Sequence, residues 1–154
     1  MKYAGFVSLP IEGDPDSQLQ NVLDQIQTAL IEEHAENVQR IGNRISFSAG
    51  FLSFRRSVGR NPLSLITSGE IEINPASDNL MVDYWLSFAQ LFILGIASAL
   101  FYLSASIGRN QPLTQTVFVS AIISMGIFAG NAAVGVSRFS KFLRQFPREA
   151  GSAR

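Results

Sequence analysis

The sequence predicts an α+β protein in which a small antiparallel sheet packed by one helix precedes a two-helix transmembrane hairpin. Residues 1–83, the predicted cytoplasmic domain, alternate short strand-like segments with turn signals around one amphipathic helix. Two uncharged apolar runs, residues 85–107 and 113–137, make up the hairpin of residues 84–137, and residues 138–154 form a basic tail. The first 83 residues hold six Lys or Arg against eleven Asp or Glu, whereas the remainder holds six bases against one acid. The net charge of zero is therefore a cancellation between two oppositely charged parts.

The domain is predicted to begin with a strand and a helix. Residues 2–9 alternate weakly between apolar and polar side chains, as in a strand. A helix should start next, because Asp14 can cap it and Pro15 suits its first turn, and it should end near His34. Apolar residues recur along it at spacings of three and four and form one stripe. They are Leu19, Val22, Leu23, Ile26 and Leu30.

Four further strands are predicted between this helix and the first apolar run, with turn-forming residues between them. They cover residues 38–41, 44–49, 63–73, with a break at residues 68–69, and 80–88. Glutamate alternates with isoleucine in residues 70–73, so one face of the sheet should be exposed to solvent and the other buried. The predicted order is β-α-β-β-β-β. Tyr84 and Trp85 would anchor the start of the first span at the membrane interface, although Tyr84 also fits the end of the last strand.

Each apolar run is long enough to cross a membrane as a helix. Residues 85–107 and 113–137 contain twenty-three and twenty-five residues without a charge, and about 20 residues cross a hydrocarbon core of about 30 Å. The short, breaker-rich loop of residues 108–112 should make the two helices antiparallel neighbours. Four bases in residues 138–148 predict a cytoplasmic C-terminus by the positive-inside rule. Two crossings then place the N-terminus on the same side of an inner or plasma membrane.

Small residues in both predicted spans can bring helix backbones close together. The first span offers Gly95 and Ala99. The second offers Gly126 and Gly130, followed by Asn131, whose amide can hydrogen-bond across a helix interface. Packing within the hairpin and association between protomers both fit this pattern. Neither span contains an ionisable Asp, Glu, Lys, Arg or His, so a stand-alone ion-coupled transporter is not predicted.

Two cationic segments, residues 51–60 and the tail, are candidates for contact with anionic lipid headgroups. The candidate side chains are Arg55, Arg56, Arg60, Arg138, Lys141 and Arg144. The tail also has an apolar side, formed at helical spacing by Phe139, Phe142, Leu143 and Phe146. It is therefore either an amphipathic segment at the membrane interface or a segment that docks on the acidic domain. Both segments also fit ordinary roles, the first as core and loop and the second as a positive flank.

No catalytic, metal or cofactor site is predicted from the residue types present. The chain has no cysteine, which excludes disulfides, thiolate metal sites and thiol nucleophiles. Its single histidine, His34, lies among three acids, and we interpret it as a favourable group at a helix C-terminus. No nucleophile-elbow, Walker or dinucleotide-binding pattern is present. An acidic domain without a recognised motif also argues against binding to nucleic acid.

These observations favour a non-enzymatic, membrane-anchored interaction or assembly module that self-associates. The expected partners are membrane lipids, a second copy of the chain and a larger membrane complex. Two alternatives stay open, namely an accessory subunit of a transport or secretion complex, and a domain that binds a lipid or small ligand at the membrane surface. A cavity of several hundred cubic ångströms between helix and sheet would favour the ligand-binding alternative.

Overall fold

The chain folds into a five-stranded sheet, one helix that follows the first strand, and two long helices at the end. A computed structural model describes residues 2–11, 13–50, 61–76, 79–107 and 112–146. Its elements are β1 (Lys2–Pro10), α1 (Pro15–Glu32), β2 (Ala35–Ile41), β3 (Arg44–Ala49), β4 (Ser68–Ala76), β5 (Asn79–Ser87), α2 (Ala89–Ile107) and α3 (Leu113–Leu143). The α+β class and the order β-α-β-β-β-β followed by two apolar helices are confirmed.

Helix α1 begins and ends at the signals that its sequence contains. The Asp14 carboxylate accepts a hydrogen bond of 2.9 Å from the backbone N–H of Ser17, which satisfies one of the free donors of the first turn. The helix ends at Glu32, slightly before the predicted position, because His34 adopts a positive φ of 62° in the turn to β2. All five residues of the predicted apolar stripe are buried.

The five strands form one antiparallel sheet in the order β1-β5-β4-β3-β2, so β1 and β2 are its edges. Its two faces differ as the sequence predicts. Ile71 and Ile73 are fully buried on the covered face, whereas the glutamates beside them lie on the other face. There Arg44 pairs with Glu70 at 2.9 Å and with Glu72 at 2.8 Å. This part of the open face therefore carries charged side chains that water and ion pairs satisfy.

Two helical segments lie on the covered face. Helix α1 packs over β2, β3 and β4, and the salt bridge between Arg40 of β2 and Asp24 of α1 ties it to the sheet edge. The last turns of α3 approach β1 and pack beside α1. The hydrophobic core of the domain consequently contains residues from both ends of the described chain.

Helices α2 and α3 are long and apolar enough to cross a membrane. They run antiparallel, because Phe92 lies beside Phe128 and Gly95 lies beside Ser124. Only 17% of the apolar window of α2 and 6% of that of α3 is buried, so neither is the enclosed core helix of a soluble domain.

The bounds of both long helices differ from the prediction. Helix α2 begins at Ala89 instead of residue 85, because β5 continues to Ser87. Trp85 is paired across the sheet with Ala4 on one side and Glu70 on the other, so it is a strand residue and not the first residue of a span. Helix α3 continues past residue 137 to Leu143 without a break.

Candidate functional site

The most distinctive site is the junction where the end of α3 enters the domain core. Phe139 has no exposed surface and packs against aromatic side chains of β3 and β5. Its ring centre is 5.8 Å from that of Phe47 in a stacked arrangement and 5.4 Å from that of Tyr84 in an edge-on arrangement. Phe142 and Leu143 of the next turn are buried as well. The helix that leaves the apolar hairpin is thus part of the domain.

This packing corrects one of the two expectations for the tail. The apolar side of residues 139–146 does not lie along the membrane interface, because it is buried against the sheet of the same chain and beside α1. The spacing of three and four residues cannot distinguish the two cases, since an amphipathic helix buries the same stripe on lipid or on protein. The part of the sheet face beside α1 provides the apolar surface that decides between them.

Tyr84 is the polar member of the junction. Tyr84 is buried, with 3% of its surface exposed. Gly5 on β1 makes room for its ring, since a Cβ there would be 2.5 Å from the Tyr84 Cζ and hydroxyl oxygen. Burial raises the pKa of Tyr84, although a hydrogen bond with Ser140 and the charge of Arg144 oppose the rise. The phenol therefore stays neutral and links β5 to the last turns of α3.

A groove of about 720 Å³ opens beside this junction, between the first half of β1 and residues 128–140 of α3. We call it the junction groove. Its lining is mostly apolar and consists of Lys2, Tyr3, Ala4, Gly5, Phe6, Tyr84, Phe88, Phe128, Ala132, Ala133, Val136, Ser137 and Ser140. Phe6 is 64% exposed, which is unusual for a phenylalanine in a strand. The cavity lies between a helix and the sheet, as the ligand-binding alternative requires. That helix is α3, however, and not the helix α1 of the predicted domain.

The sequence did not point to the junction groove. Its two walls are separated by more than a hundred residues, and only the fold brings β1 next to α3. Phe6 gave the one local signal, because an aromatic side chain at an even position of β1 lies on the face opposite Val7 and Leu9.

The predicted helix-packing residues fall into two groups. Gly95 is buried in the hairpin, where an added Cβ would lie 3.0 Å from the Ser124 hydroxyl, and Ala99 further along α2 is half-buried. Gly126 and Gly130 face open space, with no atom within 4 Å of an added Cβ. These two glycines therefore do not bring α2 and α3 together.

The remaining predicted residues lie near the junction or outside the described ranges. Asn131 donates a hydrogen bond of 2.7 Å to the Ile127 carbonyl of its own helix. Arg138 is half-buried, whereas Lys141 and Arg144 are exposed on the end of α3. Three predicted lipid contacts lie outside the residues that the structure describes. They are Arg55, Arg56 and Arg60.

Neither a metal cluster nor a known relative assigns a chemistry to the site. Among the described residues, no group of three or more His, Asp or Glu side chains is placed to hold a metal ion. His34 is exposed at the turn after α1. Comparisons with protein-family models, curated proteins and solved structures find no significant match to the chain. Function must therefore be inferred from the geometry of the junction.

Proposed function

We propose that the protein is a non-enzymatic interaction module that α2 and α3 anchor in a membrane and that self-associates there. The observation that carries the proposal is the double attachment of the domain to the hairpin. Only Phe88 separates β5 from α2, and α3 ends inside the domain core at Phe139 and Leu143. Two attachments fix the orientation of a sheet, whereas a single flexible linker would let it turn freely.

Membrane anchoring explains the surface of the hairpin. Large apolar side chains on both helices are exposed to a degree that water would penalise, and a lipid environment would cover them. Met125 is 72% exposed and Phe101 is 78% exposed. The exposed bases Lys141 and Arg144 lie just beyond the apolar part of α3, which favours a cytoplasmic domain and cytoplasmic termini.

Self-association is supported by the open side of α3. Gly126 and Gly130 are four residues apart, so they lie on one side of the helix and leave its backbone accessible. A second protomer could approach there closely, and a fixed domain orientation would then align the two sheets. An interaction module with these properties presents its domains as a defined pair at the membrane surface.

The proposal is tested by measuring the mass of the full chain in a mild detergent. We expect an oligomer for the unmodified protein and at least about tenfold weaker association for the double variant Gly126→Leu and Gly130→Leu, because two leucines separate the helix backbones. Ala121→Leu is the matched control, since Ala121 is exposed on a different side of the same helix. A monomeric unmodified protein, or a double variant that associates as well as the control, would refute self-association.

A further inference from the structure

We propose that the junction groove binds one anionic phospholipid of the adjoining leaflet, with an acyl chain along α3 and the phosphate beside Lys2. The inference rests on the proposed membrane anchoring but not on self-association. It assigns a ligand class to a cavity that the interaction module does not require.

The part of the groove along residues 128–136 of α3 has the apolar lining that an acyl chain requires. Phe128, Ala132 and Val136 recur every four residues and form one wall along α3. From Phe128 to Ser140 the helix rises about 18 Å, and one leaflet of the hydrocarbon core is about 15 Å thick. The small Ala132 side chain between the two larger residues leaves space along this wall of the groove.

The polar part of the groove lies at the level where the headgroup of such a lipid would be. Lys2 pairs across the sheet with Ser87, so it is at the end of β1 nearest to α2. Ser137 and Ser140 contribute hydroxyl groups to the opposite wall. The lining contains one cation and no acid. A phosphate would accept hydrogen bonds from these donors, and its charge would complement that of Lys2.

The position of the groove favours a lipid over a second copy of the chain. The end of the groove farthest from the domain, at Phe128, lies within the apolar part of α3. In a membrane, acyl chains of the bilayer would be the nearest molecules there. A two-fold related copy would place the same acid-free lining opposite Lys2, so like charges would meet. The exposed bases at the end of α3, Lys141 and Arg144, further favour an anionic headgroup.

The experiment titrates the purified full chain, in a mild detergent, with phosphatidylglycerol or phosphatidylcholine that carry identical acyl chains. Native mass spectrometry counts the bound lipids. We expect one retained phosphatidylglycerol, with phosphatidylcholine about tenfold weaker, because both lipids carry the phosphate but the choline cation of phosphatidylcholine cancels its charge and is repelled by Lys2. Lys2→Gln should weaken retention of phosphatidylglycerol more than that of phosphatidylcholine and so remove most of that preference.

A groove-filling variant tests the location of the site. Ala132→Trp should abolish retention of both lipids, whereas Ala129→Trp should not, because Ala129 is exposed on α3 and does not line the groove. If Ala132→Trp does not give a folded protein, as judged by its thermal unfolding, Ala133→Leu replaces it. Equal binding of the two lipids by the unmodified chain, or equal retention by the two tryptophan variants, would overturn the proposal.

The oligomer mass, recorded in the same spectra, separates this proposal from the proposed self-association. Loss of the oligomer in the Gly126→Leu and Gly130→Leu variant with the lipid retained supports both, and a monomeric protein with a bound lipid supports only the groove site. If Ala132→Trp dissociates an oligomer without changing lipid retention, the groove is an interface between copies and the lipid proposal is wrong.

Discussion

Two stretches of α3 both carry large apolar side chains but meet different surroundings. In the long first stretch, residues 113–137, Phe118 is 68% exposed and Ile122 is 56% exposed. In the last turns, Phe139 and Leu143 have no exposed surface. The difference shows that the apolar composition of a helix determines that it must be covered, but not what covers it. Here the sheet face beside α1 covers the end of the helix.

The change between the two stretches occurs at Gly135. This residue is buried, and an added Cβ would lie 3.0 Å from a ring carbon of Phe88 and 3.3 Å from the Cβ of Leu65. The missing side chain lets α3 pass close to the start of α2 before its end packs on the sheet. Gly135 is therefore where α3 changes from a hairpin helix to a domain helix.

The largest effect is expected from Phe139→Ala in the buried stretch. Truncation of a fully buried phenylalanine should lower the free energy of unfolding by about 3–5 kcal/mol, because it removes the contacts with Phe47 and Tyr84 and leaves a cavity. Denaturant unfolding of the full chain in detergent, followed by the fluorescence of the single tryptophan, Trp85, measures the change. The matched variant Phe118→Ala in the exposed stretch should change it by less than about 0.5 kcal/mol. Equal effects on the free energy of unfolding would show that the two stretches of α3 do not differ in their surroundings.

A smaller effect is expected from Gly135→Leu, compared with Gly130→Leu five residues earlier in the helix. The first substitution forces a side chain against Phe88 and should destabilise the domain by about 1–3 kcal/mol relative to the second, which has open space. The gain in helix propensity is the same in both and cancels in the comparison. The same unfolding measurement applies, at a protein concentration at which both variants are monomeric, so that the proposed role of Gly130 in self-association does not enter the comparison. If the two variants unfold alike, Gly135 is not the point where the environment of α3 changes.

Helix α1, which covers the rest of the sheet face, should tolerate the loss of its cap better. Asp14→Ala removes the hydrogen bond to the Ser17 N–H and should lower the free energy of unfolding by about 1 kcal/mol. Asp14→Asn keeps an acceptor at that position and serves as the control. A loss as large as that of Phe139→Ala would mean that α1, and not α3, dominates the stability of the shared core.

The smallest effect is a dependence on pH that only the domain can have, because residues 113–137 of α3 contain no ionisable side chain. The hydrogen bond from Arg44 lowers the pKa of Glu72 in the folded state. This contribution to stability is present above the unfolded pKa and is lost as the pH falls through the folded pKa. Between about pH 5 and about pH 3, the unmodified chain should therefore lose more stability than Glu72→Gln. Identical pH profiles would show that this exposed ion pair contributes nothing.

Much of the domain was predictable because its signals are local. The cap at Asp14, the stripe of α1 and the alternation around Ile71 and Ile73 each specify an element within a few residues, and all three agree with the structure. The strand predicted over residues 80–88 agrees with β5, but the start of α2 was predicted too early, since an uncharged segment such as residues 84–88 fits a buried strand as well as the start of a span. Pairing with β1 and β4 decides for the strand.

The junction and its groove could not be predicted for a different reason. Phe139 and Tyr84 are each recognisable from the sequence as residues that are expected to be buried, but their contact depends on how the sheet and α3 are arranged in space. The apolar pattern of the tail fits lipid and protein equally well. The groove needs both walls, and the pattern around Lys2 gives no indication of the opposite wall formed by α3.

The burial of Phe139 also constrains the order in which the protein can be made. The sheet is complete in the chain before the hairpin begins, yet the residues that finish its core follow the hairpin. During synthesis the ribosome therefore releases a sheet whose face stays partly uncovered until α3 has followed. With the proposed membrane anchoring, insertion of the hairpin would be a step in the maturation of the domain, because the residues that complete the core follow the hairpin in the chain. A chain that stalls between the two helices would display this unfinished face to chaperones and proteases.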